Sequence, residues 1–373
     1  LERELGVSPL PQTRAALQPK PAAVPAPTLP LLPSLALPLL GRHDALAQLA
    51  VAYQQMAHGR SPGGGLILIT GESGIGKSRL LHEFVASHPG LVLGGSSYPG
   101  SQALPYHPLI QALRATLHRM DLWTAVPLPW LSELLPLLPD LRSLFPTLAE
   151  PLAILPDQAQ TRLFAALGQI MHTYTFATMT PVLLCLDDLH WADESTLAWL
   201  HFVAGQWAQL PLVILATTSA AEGPTVTPLR QAFARTGRLA VVPLPGLTAA
   251  ATEQFLTQLS PTLAPPLVAQ TAVRIHTATA GNPFFILEIL RDLQETAQLA
   301  APPADLPLPA SVREAIQTRL GHLSSEAQQL LEAAAILTPQ LDETLLRHTA
   351  GRPEAETADA LDELLAHHLL QID

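Results

Sequence analysis

Lys77 and Ser78 close the octet Gly71-Glu72-Ser73-Gly74-Ile75-Gly76-Lys77-Ser78, a glycine-rich run ending in a cation and a hydroxyl. The spacing is G-x-x-x-x-G-K-[ST]. A loop of this kind, followed at once by a helix, turns successive backbone N–H groups and a helix N-terminus toward one spot, which suits a triphosphate. Lys77 would reach the β- and γ-phosphates and the Ser78 hydroxyl would ligate Mg²⁺, with Arg79 next to them at the nucleotide. The plain alternative is a glycine-rich turn with a chance lysine. The flanks decide against it: Leu66 to Thr70 reads as a buried parallel strand, and Ser78 to Val85 has apolar residues at helical spacing.

A second cluster has matching chemistry. Val182-Leu183-Leu184-Cys185-Leu186-Asp187-Asp188 is an apolar run ending in two carboxylates. A magnesium ion beside a Ser/Thr ligand needs a fixed acidic partner, and the end of a neighbouring strand supplies one. Asp187 would take that role, directly or through water, and Asp188 could orient or deprotonate an attacking water. Alone, such a run is a weak signal; with Lys77 and Ser78 it is a strong one. Asp193, just before a helical pattern, reads as a helix N-cap. Thr217-Thr218 ends another apolar run, where hydroxyls can sense a γ-phosphate or merely make a turn.

These groups must be held by a scaffold. Five apolar segments read as strands of one parallel sheet: Leu66 to Thr70, Leu91 to Gly94, Val182 to Leu186, Leu212 to Ala216 and Leu239 to Val242. Helical patterns between them predict a doubly wound α/β domain, and the resemblance of the octet to that of P-loop NTPases implies the strand order 5-1-4-3-2. The stretch from about 100 to 180 is too long for one crossover, and its Leu, Trp and Pro pattern predicts inserted helices at the sheet's edge, with Trp123 and Trp130 in the core. A helix is expected after Gly41-Arg42, carrying Leu46, Leu49, Ala50 and Tyr53. After Pro245 the alternation stops. Thr248 can cap a helix bearing Phe255, Leu256 and Leu259, and another helix starts at or just after Pro283 with Phe284, Phe285, Leu287 and Leu290. Ser311-x-x-Glu314 is a capping box before three helical patterns, 312–320, 325–337 and 355–365, which suit a small winged-helix-like module. The expected division is therefore 1–18, an amphipathic helical pair too small for a core of its own; 19–38, a linker with seven prolines; 39–245, the P-loop domain; 246–308, a helical unit; and 309–373, the winged-helix-like module.

Composition narrows the options. The 373 residues carry a formal charge of −11, which disfavours a polyanionic partner. From Ser311 to Asp373 four arginines face eleven acidic residues, 4 − 11 = −7, the opposite sign to a DNA-reading winged helix. No apolar run approaches the roughly 20 residues of a membrane helix. The single cysteine, Cys185, leaves no intramolecular disulfide or thiolate zinc cluster and fits a reducing, cytoplasmic setting. Histidines are scattered without H-E-x-x-H. The chain opens on Leu1 and reads as an excised fragment.

The run Leu184 to Asp193, with Leu186-Asp187-Asp188-Leu189-His190-Trp191-Ala192-Asp193 at its centre, closely resembles the second nucleotide motif of bacterial STAND-class signalling ATPases, the modules of large LuxR-type and SARP-type regulators. Leu40-Gly41-Arg42, Gly71 to Ser78, Gly281-Asn282-Pro283-Phe284-Phe285 with Glu288, and Leu308-Pro309 through Arg313 agree in the same order. The likeness spans about residues 39–373. Leu1 to Val7 with Pro11 to Arg14 resembles the end of a bacterial transcriptional activator domain. The resemblance implies Gly41 and Arg42 near the adenine, Pro283 against base or ribose, and lid and winged-helix units that close over ADP and open with ATP. It also implies contacts with other domains of a longer parent, self-association on activation, and DNA binding only outside this chain. One departure stands out: Ser219 lies where such proteins commonly carry an arginine, with Arg230 and Arg162 as candidate substitutes.

The resulting expectation is an ATP/ADP-binding, Mg²⁺-dependent switch with slow ATPase activity. The rival is an ADP-bound scaffold that does not turn over. A stand-alone metabolic NTPase or kinase fits less well, because no substrate-hydroxyl motif is visible.

Overall fold

The computed structural model describes residues 39–58, 64–88, 90–151, 156–205, 210–219, 225–259 and 264–296, and beyond these mainly 323–337 and 353–366. The expected upstream tail, the proline-rich linker and the capping box at Ser311 lie outside the described residues.

In chain order the elements are α1 His43–His58, β1 Gly64–Gly71, α2 Lys77–Ala86, β2 Val92–Ser96, α3 His107–Arg114, α4 Met120–Trp123, α5 Leu128–Leu134, α6 Leu141–Leu144, α7 Pro156–Thr178, β3 Val182–Asp187, α8 Glu194–Gly205, β4 Leu212–Ser219, α9 Thr227–Arg235 and β5 Leu239–Pro243. Helices α10 Ala249–Leu259, α11 Pro265–Thr279, α12 Pro283–Glu295, α13 Ser325–Leu337 and α14 Glu354–Ala366 follow. The five strands form one parallel sheet in the order β2-β3-β4-β1-β5, the expected order read from the other edge.

The strand sequences are apolar on both faces, as a sheet covered on both sides requires. Alternation divides the core in two. Leu66, Leu68, Leu184, Leu186, Leu212 and Ile214 face one helical layer. Ile67, Ile69, Leu183, Cys185, Val213 and Leu215 face the other, with Leu49 and Tyr53 of α1 and Leu80, Leu81 and Phe84 of α2. On α1, Ala45 and Ala52 share that buried stripe while Ala50 is exposed, one step off the expected stripe. Cys185 is fully buried, and burial, reinforced by Asp187, raises its thiol pKa, so it is a packing residue rather than a nucleophile.

The inserted helices do more than line an edge. Trp123, Leu131, Leu134 and Leu138 belong to the same apolar cluster as Leu66, Leu68 and Leu184, so the insertion covers a face of the sheet. Trp123 is wholly buried, stands edge-on to Tyr174 at 5.8 Å and donates its indole N–H to Thr116 O at 3.0 Å. Trp130 is only partly buried at the rim of this cluster. Proline opens α12, as its missing N–H allows, but the inward stripe of that helix is Ile286, Ile289, Leu290 and Leu293; Phe284 and Phe285 are half-buried. Thr248 caps α10 through Ala251 N–H at 3.2 Å.

Asp193 is an N-cap with a second duty. One carboxylate oxygen accepts the Thr196 N–H at 2.9 Å and the Tyr106 N–H at 2.8 Å; the other accepts the Thr196 hydroxyl at 2.7 Å. Tyr106 needs that anchor, since its φ of 58° is an unfavourable left-handed conformation for an aromatic residue. Asp193→Ala removes the cap and strands a buried N–H. We expect a loss of about 3 kcal/mol, read as a lower urea midpoint at unchanged m.

Candidate functional site

The octet joins the C-terminal end of β1 to the first turn of α2. Gly76 caps α2 with φ 99°, a conformation glycine adopts without a Cβ penalty, and a Cβ built there would meet nothing within 4 Å. Lys77 is buried, and its ammonium donates back to Gly71 O at 3.0 Å and Glu72 O at 2.8 Å. The cation is thus folded over the loop instead of pointing to bulk solvent.

Register carries the carboxylates to the same place. β3 lies two strands from β1, with β4 between them. Asp187, the last residue of β3, accepts the Ser78 hydroxyl at 3.0 Å and the Thr217 hydroxyl at 2.5 Å. The two groups expected to share a magnesium ion are therefore already in contact. Among the described residues no cluster of three His, Cys, Asp or Glu could hold a metal alone. One hydroxyl and one carboxylate suit an ion that completes its octahedral shell with phosphate and water oxygens. That donor set fits Mg²⁺ arriving with a nucleotide.

Thr217 occupies a different place from that of a free γ-phosphate sensor. Its hydroxyl donates to Asp187 and accepts the Asp188 N–H at 2.8 Å, so it fixes both acidic residues. Thr218 is fully buried, and its hydroxyl has no partner among the described residues. Asp188 follows β3 in a left-handed conformation, φ 54°. Burial, then the charge of Asp187, raise its pKa to about 6, against the pull of Lys77. A carboxylate poised this near neutrality is suited to accept a proton from water.

His190 was present in the sequence only as part of a motif. It is half-buried, its Nδ1 has no partner among the described residues, and burial together with Lys77 lowers its pKa to about 4, opposed by Asp187. The imidazole is neutral at physiological pH, a polar group held close to the Lys77 charge.

The remaining expected residues divide. Ser219 ends β4 opposite Gly71, beside the mouth of the octet. Arg162 is paired with the buried Glu133, so its charge is already engaged. Arg230 lies on α9, half-buried. Arg79 pairs with Glu83 one turn along α2 at 3.7 Å. Arg42 is buried and donates to Ile75 O at 2.9 Å and Pro245 O at 2.6 Å, and burial lowers its pKa to about 10. Its guanidinium braces the octet's backbone. Gly41 packs beside Ala251 and Leu247, and Pro283 begins α12 next to the octet. Asn282, absent from the sequence-derived site, donates its amide to Ser73 O at 3.0 Å.

Residues 38–215 match the family model of the AAA ATPase domain. This stretch contains the octet, β1 to β3, the first half of β4 and both carboxylates, while Thr217 to Ser219, β5 and the later helices lie beyond it. Among solved structures, the ORC2 protein of Aeropyrum pernix, determined in ADPNP and ADP complexes, is similar at 15% identity and a TM-score of 0.54, with 90% of this chain and 88% of that chain covered. The RuvB Holliday junction branch migration motor of Thermotoga maritima matches at 13% identity and a TM-score of 0.39, with 90% of each chain covered. A STAND protein with a tetratricopeptide repeat sensor from Pyrococcus horikoshii matches at 13% identity and a TM-score of 0.40, over 90% of this chain and 40% of that one. No curated protein sequence matches the chain. The likeness to ORC2 shows a shared fold, a parallel five-stranded sheet with flanking helices. No helix among the described residues is long and apolar enough to cross a membrane.

Proposed function

We propose that this chain is an adenine-nucleotide switch that binds ATP or ADP with Mg²⁺, hydrolyses ATP slowly, and regulates a bacterial transcriptional activator of SARP or large LuxR type in the cytoplasm. The observation that carries the nucleotide reading is the contact between Ser78 and Asp187, made across the sheet beside a lysine folded over the loop. A phosphate chain with its magnesium ion needs these groups together.

In this reading Lys77, the N–H groups of Gly71 to Ser78 and the N-terminus of α2 bind the phosphates, and Arg79 stands at their edge. Ser78 and Asp187 hold Mg²⁺, which would supply charge neutralisation at the β- and γ-oxygens. Thr217 keeps Asp187 and Asp188 in place, and Asp188 receives the proton of the attacking water. Gly41, Arg42 and Pro283 border the nucleoside. Residues 39–245 act as the ATPase unit, 246–308 as a lid and 309–373 as a winged-helix-like unit that works through protein contacts, with DNA bound elsewhere in a longer parent.

Mass spectrometry of small molecules released from denatured, freshly purified protein is expected to find ADP or ATP. Multiple-turnover phosphate release then measures hydrolysis. A second reading, an ADP-bound scaffold without turnover, is favoured by Ser219 in place of an arginine and by the engagement of Arg162 with Glu133. Bound ADP with no phosphate release would establish that reading instead.

A further inference from the structure

The octet is gripped from its convex side. Arg42 donates to Ile75 O, the Phe284 N–H to Gly74 O at 3.3 Å, and the Asn282 amide to Ser73 O. In a trans peptide the carbonyl and the next N–H point in opposite directions. Donors on the outer carbonyls of residues 73 and 75 therefore turn the N–H groups of Gly74 and Gly76 toward the concave side and polarise them, while the Ile75 N–H closes the turn on Glu72 O at 3.3 Å. Gly74 is where the two parts meet most closely: a Cβ there would stand 2.7 Å from Phe284 Cβ and 3.1 Å from Asn282 Oδ1.

Asn282 uses both ends of one amide. Its Oδ1 accepts the Phe284 N–H at 3.1 Å and caps α12, while its Nδ2 holds Ser73 O. The residue is buried, and the preceding turn is fixed by the Leu247 N–H bonded to Gly281 O at 2.8 Å and by His276 against Leu247 O. Helix α12 and the octet are thus joined through this side chain, beside the main-chain bond from Phe284 N–H to Gly74 O.

We propose that Asn282 is a positioning residue that latches α12 onto the phosphate loop, holding the loop in its anion-binding form and slowing nucleotide release. The release part rests on the nucleotide reading above. Aspartate and serine cap helices about as well as asparagine. Neither can make the Nδ2 contact: aspartate lacks the donor, and serine is too short to reach Ser73 O. Serine also adds no charge near the phosphates.

The test uses the full chain with ADP–Mg²⁺ bearing a fluorescent methylanthraniloyl group. Asn282→Ser and Asn282→Asp should release it about tenfold faster than wild type, with the nucleotide-free Tm of Asn282→Ser nearly unchanged and that of Asn282→Asp lowered by its buried charge. Asn282→Ala, which also loses the cap, should in addition melt a few degrees lower. Hydrogen exchange on nucleotide-free protein should quicken across residues 71–78 in Asn282→Ser while α12 keeps its protection. Unchanged exchange in the loop would overturn the latch, and so would wild-type release by both capping variants. Failure of the wild type to bind the probe would overturn the nucleotide reading, and the loop exchange would then still decide the latch.

Discussion

Lys77→Ala is expected to weaken ATP and ADP binding by at least about a hundredfold, leaving none measurable at micromolar protein. The ammonium is buried against the carbonyls of Gly71 and Glu72. It is thus pre-placed over the loop, and a phosphate need only draw it across a short distance. The nearby arginines are otherwise engaged: Arg42 is committed to Ile75 and Pro245, and Arg79 is paired with Glu83. Isothermal titration with ADP–Mg²⁺ measures the effect. Equal affinities in wild type and variant would remove the phosphate-binding assignment altogether. The fold should survive the change, because the five-stranded sheet and both of its apolar layers are independent of the lysine.

Asp188→Asn should give two opposite results in one protein. Phosphate release should fall by about a hundredfold or more, since the group proposed to accept the proton is gone. Stability of nucleotide-free protein in EDTA at pH 7 should rise, by about 1–2 kcal/mol. The sign follows from the pKa of about 6, above the ordinary value of 3.8. The native state binds this proton more tightly than the unfolded chain, so ionisation of Asp188 costs stability that grows between about pH 4 and pH 6 and is constant above. A shift of about two units corresponds to roughly 3 kcal/mol as an upper bound, reduced here by partial exposure. Asparagine also tolerates the left-handed backbone at this position better than most residues. Urea unfolding of both proteins at pH 4 and pH 7 checks it: the gap should be small at the lower pH and full at the higher. A variant less stable at pH 7, or with undiminished turnover, would contradict the role given to Asp188.

The sheet follows from the chain's local pattern alone. Leu66 to Thr70, Val182 to Leu186 and Leu212 to Ala216 are short, apolar on alternate positions to both sides and bounded by turns, and that is enough to make such runs buried parallel strands. The octet was equally legible, because its glycines, lysine and serine act within eight consecutive residues. Asp193 could be read as a cap for the same reason, its partner Thr196 being three residues away. What lay outside local pattern was decided by packing. Arg42 reaches Ile75 across 33 positions and Pro245 across 203, and Asn282 reaches Ser73 across 209. Thr217 was visible as a polar strand end, but only the register of β3 beside β4 bound its hydroxyl to Asp187 and Asp188. The choice of Ile286 and Ile289 over Phe284 and Phe285 as the inward face of α12 was likewise tertiary: Phe284 stands where the helix meets the octet. A spacing rule fixes what a segment can do with its neighbours in the chain. Contacts between segments hundreds of positions apart depend on how close two backbones come, and that distance is set only once the whole core has packed.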